Sequence, residues 1–290
     1  MTSVVVTGGS GKAGRAVIRE LVEHGHRVMN VDLVPPREPL CHFFKADLAD
    51  IGQAVEAIRR AAGTIDRRRT PLGETEAVIH LAGIPAPSLA PDAVTFQNNL
   101  ISTYNVFSAA TLFGVKRVVW ASSETAFGLP LTRSPPAFVP VTEEHPLVPE
   151  TGYALAKVLS EKMAQEMHRW NPGTRFVAFR ISNIFDEGDY AQIRSFSADP
   201  GVRQWNLWSW VDARDVAQAC RLALEAPVAG ADEFIVAAAD TLMEQPSREL
   251  MARAFPGVPL RGEIGAHETL LSIEKAKRVL GYRPRYTWRT

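Results

Sequence analysis

Two hydrophobic rhythms alternate along the chain. "SVVVTG", "HRVMNVD", "AVIHLAG", "KRVVWASS" and "RFVAFRIS" are short, near-continuous apolar runs rich in β-branched residues. This is the pattern of strands buried on both faces of a parallel sheet. "KAGRAVIRELVEHG", "DIGQAVEAIRRAAG", "DAVTFQNNLISTYNVFSAATLFG" and "YALAKVLSEKMAQEMHRW" instead space apolar residues by three and four, which predicts helices with one buried stripe. Gly25 and Gly114 close two of them, as C-terminal caps do. Repetition of strand, helix and strand predicts an α/β fold, a Rossmann-like doubly wound parallel sheet covered on both faces. After Arg180 the rhythm loosens. The chain therefore reads as a first part over 1–180 and a smaller part over 181–290, partly interleaved with it, that shapes a substrate site. The stretch "VRQWNLWSWVDARD" in that second part crowds three tryptophans into six residues; read as a strand, it puts Trp208 and Trp210 on one face.

Composition narrows the partners. Basic and acidic side chains balance at 32 each, so no overall field favours nucleic acid or an anionic membrane. The run Arg67-Arg68-Arg69, followed by Pro71 and Gly73, reads as a solvated loop. Cys41 and Cys220 have neither the number nor the spacing of a disulfide framework or a zinc site, and the histidines lack metal-ligand spacing, so no metal is expected. No segment reaches the roughly 18 apolar residues of a membrane span. A strand begins at Ser3, which leaves no room for a signal peptide, and the expectation is a cytoplasmic protein.

The first strand runs into "TGGSGKAG", with Gly8, Gly11 and Gly14 at intervals of three. Glycines at a strand-to-helix turn let backbone N–H groups approach a pyrophosphate at the positive helix end, so Gly8, Gly11, Lys12, Ala13 and Gly14 are candidate dinucleotide contacts. Asp32 ends the second strand, 24 residues after Gly8. A carboxylate there accepts both ribose hydroxyls of NAD and repels the 2′-phosphate of NADP. NAD is the expected cofactor, although Arg15 and Arg37 lie close enough in sequence to keep NADP open.

Tyr153 and Lys157 stand four residues apart and project from one face of a predicted helix, where an ammonium would lower the pKa of the phenol. Upstream, "VVWASSETAFG" ends a predicted strand in two serines, where a hydroxyl can hold a substrate oxygen beside Tyr153. With "ADL" at Ala46 to Leu48, "HLAG" at His80 to Gly83, "NLISTYN" at Asn99 to Asn105, "YALAK" and "RISNIF" at Arg180 to Phe185, the chain resembles the extended short-chain dehydrogenase/reductases, the NAD-dependent epimerase/dehydratase family, over nearly its whole length.

By position, the resemblance implies that Asp47 and Leu48 contact adenine, and that Leu81, Ala82 and Gly83 line the dinucleotide. It implies that Ser123 is the catalytic hydroxyl, that Tyr153 takes the proton from a substrate alcohol, and that Lys157, supported by Asn99, keeps the tyrosine ionised. Asn183 would face the substrate. His80 reads as packing beside the cofactor rather than as a base. A homodimer through the helices containing Asn105 and Tyr153 is also implied.

Three branches of that family share the first hydride transfer. The Thr-Asp-Glu triplet of sugar-nucleotide dehydratases is matched by Ser123-Glu124-Thr125, which lacks the third-position carboxylate. Glu124 reads either as a polar substrate contact or as a solvated loop acid. The segment between Asn183 and Asp215-Val216-Ala217 is about half as long as the nucleotide-binding segment of the epimerases, and Trp208 takes the place of their phosphate-binding arginine. The shortened segment resembles uronate dehydrogenases. The reading favoured is a sugar or sugar-acid dehydrogenase in which Trp208 walls the substrate and Arg180, Arg194 or Arg203 binds any carboxylate. A nucleotide-sugar 4-epimerase with tightly bound NAD is the alternative. A non-catalytic NAD sensor is disfavoured because Tyr153 and Lys157 are both retained.

Overall fold

The computed structural model describes residues 1–63, 74–131 and 133–289, so the arginine run at 67–69 lies outside the described residues. In chain order the elements are β1 (Ser3–Thr7), α1 (Lys12–Glu23), β2 (Arg27–Asp32), β3 (His42–Lys45), α2 (Ile51–Gly63), β4 (Ala77–His80), α3 (Asp92–Leu112), β5 (Arg117–Ser123) and α4 (Gly152–Trp170). They continue as β6 (Arg175–Ile181), β7 (Ile184–Phe185), α5 (Tyr190–Phe196), β8 (Val211–Asp212), α6 (Ala213–Glu225), β9 (Ala231–Val236), α7 (Ser247–Ala254) and α8 (Glu274–Leu280). Seven strands form one sheet in the order β3-β2-β1-β4-β5-β6-β9, parallel throughout, and β7 and β8 pair separately. The fold is the Rossmann-like doubly wound sheet expected from the pattern.

Both faces are covered because consecutive strand residues point to opposite sides. Val4, Val6, Val119, Val177 and Phe179 pack with Val17, Ile18 and Leu21 of α1 and with Val216, Ala219 and Cys220 of α6. Val5, Val118, Trp120, Phe176 and Ala178 pack on the other face with Ala54 and Ile58 of α2, Val106 and Phe107 of α3, and Ala164 and Met167 of α4. Such double burial explains why these strands read as unbroken apolar runs. At the sheet edges the pattern fades. The short β3 is at best half-buried, and β9 begins with Ala231, Asp232 and Glu233, all partly exposed. Parallel strands place their C-terminal ends along one rim, where the chain leaves for Gly8, Leu81, Glu124 and Ser182.

The tryptophan stretch is a reversal rather than a strand through Trp208. Leu207 and Trp208 both take left-handed φ values, 56° and 55°, and the Trp208 N–H donates to the Arg203 carbonyl at 3.0 Å. Trp208 is fully buried, its indole N–H donates to the Pro200 carbonyl at 2.6 Å, and its ring lies against Phe255. Strand geometry begins only at Val211. Trp210 is also core, edge-on to Phe185 and Tyr190. Among the described residues, no helix is long and apolar enough to cross a membrane.

Candidate active site

A cavity of about 1140 Å³ opens along the C-terminal rim of the sheet. Gly8, Gly11, Lys12, Ala13, Gly14 and Asp32 line one end, Asp47 and Leu48 line its flank, and Leu81, Ala82 and Gly83 line the middle. Ser123, Glu124, Tyr153, Lys157 and Asn183 line the far end. Strands β1, β2, β4, β5 and β6 and helix α4 thus bring most of the sequence-predicted residues into one space.

The glycine end is built for close approach. Gly8 is left-handed at φ 70°, and a Cβ on it would stand 2.6 Å from the Ala82 nitrogen; a Cβ on Gly14 would stand 2.1 Å from the Gly8 carbonyl oxygen. Only glycine permits that turn. Helix α1 starts after Gly11 with no side chain capping its N–H groups, and its first turn has no acid. Its positive end therefore faces the cavity unneutralised. Asp32 accepts the Ser10 N–H at 3.0 Å and the Val34 N–H at 3.2 Å, so it holds both sides of the turn while facing the cavity. These residues fit a dinucleotide, with pyrophosphate at the α1 terminus and a ribose beside Asp32. Lys12 pairs with Asp189, and Arg15 and Arg37 line the same end.

The catalytic end differs from expectation in one electrostatic respect. Burial pushes the Tyr153 phenol up to about 12; a hydrogen bond with Ser123 pulls it down, and the Glu124 charge adds to the rise. The Lys157 ammonium lies 5.5 Å from the ring centroid and donates to the Ala121 carbonyl at 2.6 Å. It does not compensate the burial of the phenol, so the phenol is raised where the sequence led us to expect it lowered. Lys157 itself is lowered to about 8 by burial, against an upward pull from Glu161. Ser123 Oγ accepts from the Thr125 N–H at 3.2 Å and hydroxyl at 3.0 Å, which leaves its own hydrogen to donate toward Tyr153.

Three other residues stand elsewhere than the resemblance implied. Asn99 grips the loop after β4, accepting the Ile84 N–H at 2.8 Å and donating to the Ile84 carbonyl at 3.0 Å, so it shapes the cavity wall rather than touching Lys157. Arg180 does not face the cavity. It is buried in an ion pair with Glu161 at 2.8 Å and also donates to the Glu143 carbonyl. Trp208 belongs to the core and walls nothing; Trp205, three residues earlier, lines the cavity instead. Of the other arginines considered for a carboxylate, Arg194 is exposed outside the cavity lining, and Arg203 is buried behind it.

Glu124 is no solvated acid. It is only 4% exposed, and its carboxylate accepts the Ser182 hydroxyl at 2.6 Å and the Asn206 amide at 3.2 Å. Burial raises it to about 7, against those bonds and the Arg203 charge. His80 bridges the hydroxyls of Thr7 and Thr103 at 2.7 and 3.2 Å and is lowered to about 3, chiefly by burial. As a neutral, doubly hydrogen-bonded ring it braces β4, as the packing reading expected. No metal-binding cluster occurs among the described residues.

Glu161 went unpredicted, although its place four residues after Lys157 put it on the inward face of α4. It accepts from Ser122 at 2.6 Å and from Arg180, joining β5, β6 and α4 directly beneath the site.

A parallel sheet with a glycine turn, a strand-end aspartate and a Ser, Tyr and Lys group on its rim defines a dinucleotide-binding fold. A profile of the NAD dependent epimerase/dehydratase family matches residues 4–238, and the chain is an enzyme of that family. The UDP-glucose 4-epimerase of Bacillus subtilis (strain 168) is 30% identical over 223 residues, 72% of this chain and 60% of that protein. The chain thus spans well under two thirds of that relative, and only 51% of UDP-glucose 4-epimerase 1 of Oryza sativa subsp. japonica, at 27% identity over 63% of this chain. Among solved structures, a short-chain dehydrogenase/reductase superfamily protein from Agrobacterium tumefaciens with bound NAD superposes with a TM-score of 0.72 at 24% identity, covering 98% of this chain and 93% of that one. A mutated uronate dehydrogenase, at TM-score 0.67 and 21% identity, covers 99% and 82%.

Removing one partner of a buried ion pair strands the other charge. Glu161→Gln is expected to cost about 3–5 kcal/mol in denaturant unfolding, far more than Glu166→Gln, whose pairs with Lys162 and Arg169 lie at the surface.

Proposed function

We propose that this protein is an NAD-dependent oxidoreductase that moves hydride between NAD and a secondary alcohol of a small carbohydrate. The observation that carries this reading is the way the segment from Asn183 to Asp215 closes on itself. Trp208 is buried in it, and Arg203 donates to Asn183 at 2.8 Å and to the Ser209 carbonyl while stacking on Phe185, Phe196 and Trp205. Arg180 is spent on Glu161. Neither guanidinium is left to fork around the diphosphate of a sugar nucleotide.

At the catalytic end, Ser123 donates to the substrate oxygen and Tyr153 takes the proton from the same hydroxyl. NAD, when bound, supplies the hydride acceptor and a cationic nicotinamide ring. Ionising a phenol buried this deeply is costly, and the Lys157 ammonium, 5.5 Å from the ring centroid, is the cation placed to attract the phenolate once it forms. Asp32, beside the ribose position, favours NAD over NADP, while Arg15 and Arg37 are the groups that would hold a 2′-phosphate. The names of the relatives support a second reading, a 4-epimerase, in which the oxidised sugar takes hydride back on its opposite face.

Incubation with NAD and a panel of free sugars is expected to raise absorbance at about 340 nm, and Tyr153→Phe is expected to lose about 10²-fold or more in kcat. Epimerisation of a UDP-sugar without net NADH would overturn the dehydrogenase in favour of the epimerase. In the same assay NAD is expected to exceed NADP, and Asp32→Asn to narrow that preference by about tenfold, because the charge is removed while the hydrogen-bonding shape is kept.

A further inference from the structure

The charge at the substrate end restricts what kind of sugar can enter, and this inference rests on the oxidoreductase reading above. Beyond Ser123, the cavity wall includes Glu124, Thr125, Pro130, Ser182, Asn183 and Trp205. Glu124 is the acid of that group; it lines the cavity beside Ser123 and Tyr153, its carboxylate held by the Ser182 hydroxyl and the Asn206 amide, and its charge adds to what disfavours the phenolate. The cation nearest to it, Arg203, does not line the cavity: its guanidinium is held by Asn183 and Ser209 and sandwiched among aromatic rings. Lys157 points its ammonium at the Ala121 carbonyl. A substrate carboxylate placed here would meet a like charge with no guanidinium to receive it, whereas a hydroxyl would meet an acceptor. Trp205 adds a flat apolar side chain: it is half-buried, Arg203 lies 4.8 Å from its ring centroid, and the residue lines the cavity. Sugar rings present a C–H face that suits an indole, as in other apolar pockets with a few placed polar groups.

We propose that this end of the cavity selects an uncharged polyhydroxylated ring over a sugar acid, with the Glu124 carboxyl accepting a substrate hydroxyl and Trp205 lying against the ring. Glu124 is then the residue that sets specificity, and the arginine sought in the sequence for a uronate has no counterpart among the residues lining this end.

The test is a matched comparison: D-glucose with D-glucuronate and D-galactose with D-galacturonate, each with NAD, in the wild type and in Glu124→Gln. The wild type is expected to favour the neutral member of a pair by about tenfold or more in kcat/KM, and the variant to reduce that ratio to about threefold or less, because two like charges a few ångströms apart repel strongly in a buried site. A pH series on the wild type gives the same readout without a substitution. Glu124, raised to about 7, becomes neutral as pH falls through that value, so the uronate-to-neutral ratio should rise from pH 8 to pH 6. Tyr153 on α4 and Arg203 on the segment before β8 also interact with this carboxyl, but effects they exert equally on both substrates cancel in the ratio. A wild-type preference for the uronates, or a ratio that neither the substitution nor pH changes, overturns the inference and leaves the oxidoreductase reading standing. Absence of NADH from every free sugar of both kinds would instead overturn the reading on which it rests.

Discussion

The buried pair between Glu161 and Arg180 is the constraint on which the catalytic end depends. Three elements meet at it: α4 supplies the carboxylate, β6 the guanidinium, and β5 the Ser122 hydroxyl that donates to the same carboxylate. Each neighbour in sequence or on the helix is a site residue. Ser123 follows Ser122, and Lys157 stands one turn before Glu161 with Tyr153 a turn further back. A charge pair in this position gains little net energy over an apolar replacement, but its geometry is exacting, since an unpaired partner would be stranded in the core. The arrangement fixes how α4 lies across the rim, and so how the phenol meets the serine.

Around that anchor the cavity is electrically divided. Its cofactor end has an uncapped helix terminus, with Lys12, Arg15 and Arg37 nearby and the Asp32 carboxylate bonded to the Ser10 N–H of the same turn. Its substrate end has Glu124, hydroxyl and amide groups and the Lys157 ammonium held on the Ala121 carbonyl, with the Arg203 guanidinium withdrawn behind the wall. The division suits a phosphate-bearing cofactor at one end and a ligand without phosphate at the other. Burial raises the Tyr153 phenol, and the Glu124 charge at the same end adds to that rise.

Much of this was legible in the sequence because double burial and helical periodicity are strong signals. Strands β1, β2, β4, β5 and β6 and helices α1 to α4 stand where the runs of apolar residues placed them. Edge strands escaped: β3 has only four residues, and β9 opens on half-exposed polar positions that break the buried pattern. Trp208 misled for a different reason. Two successive left-handed residues turn the chain inward, and positive φ at a leucine and a tryptophan has no sequence signature comparable to glycine. Arg180 misled because the cavity lay close in sequence. Its partner was nevertheless discoverable, since an acid on the inward face of a catalytic helix needs a cation, and Arg180 lies on the adjoining strand.

Hydride transfer out of the substrate and into a released cofactor is the central claim, and isotope tracing tests it most directly. A free sugar carrying deuterium at the carbon to be oxidised, turned over with NAD, should deliver the deuterium to the C4 position of the NADH recovered, as read by mass spectrometry. Deuterium that stays with the sugar while the configuration at its carbon inverts would contradict the account, because hydride would then return to the sugar it came from.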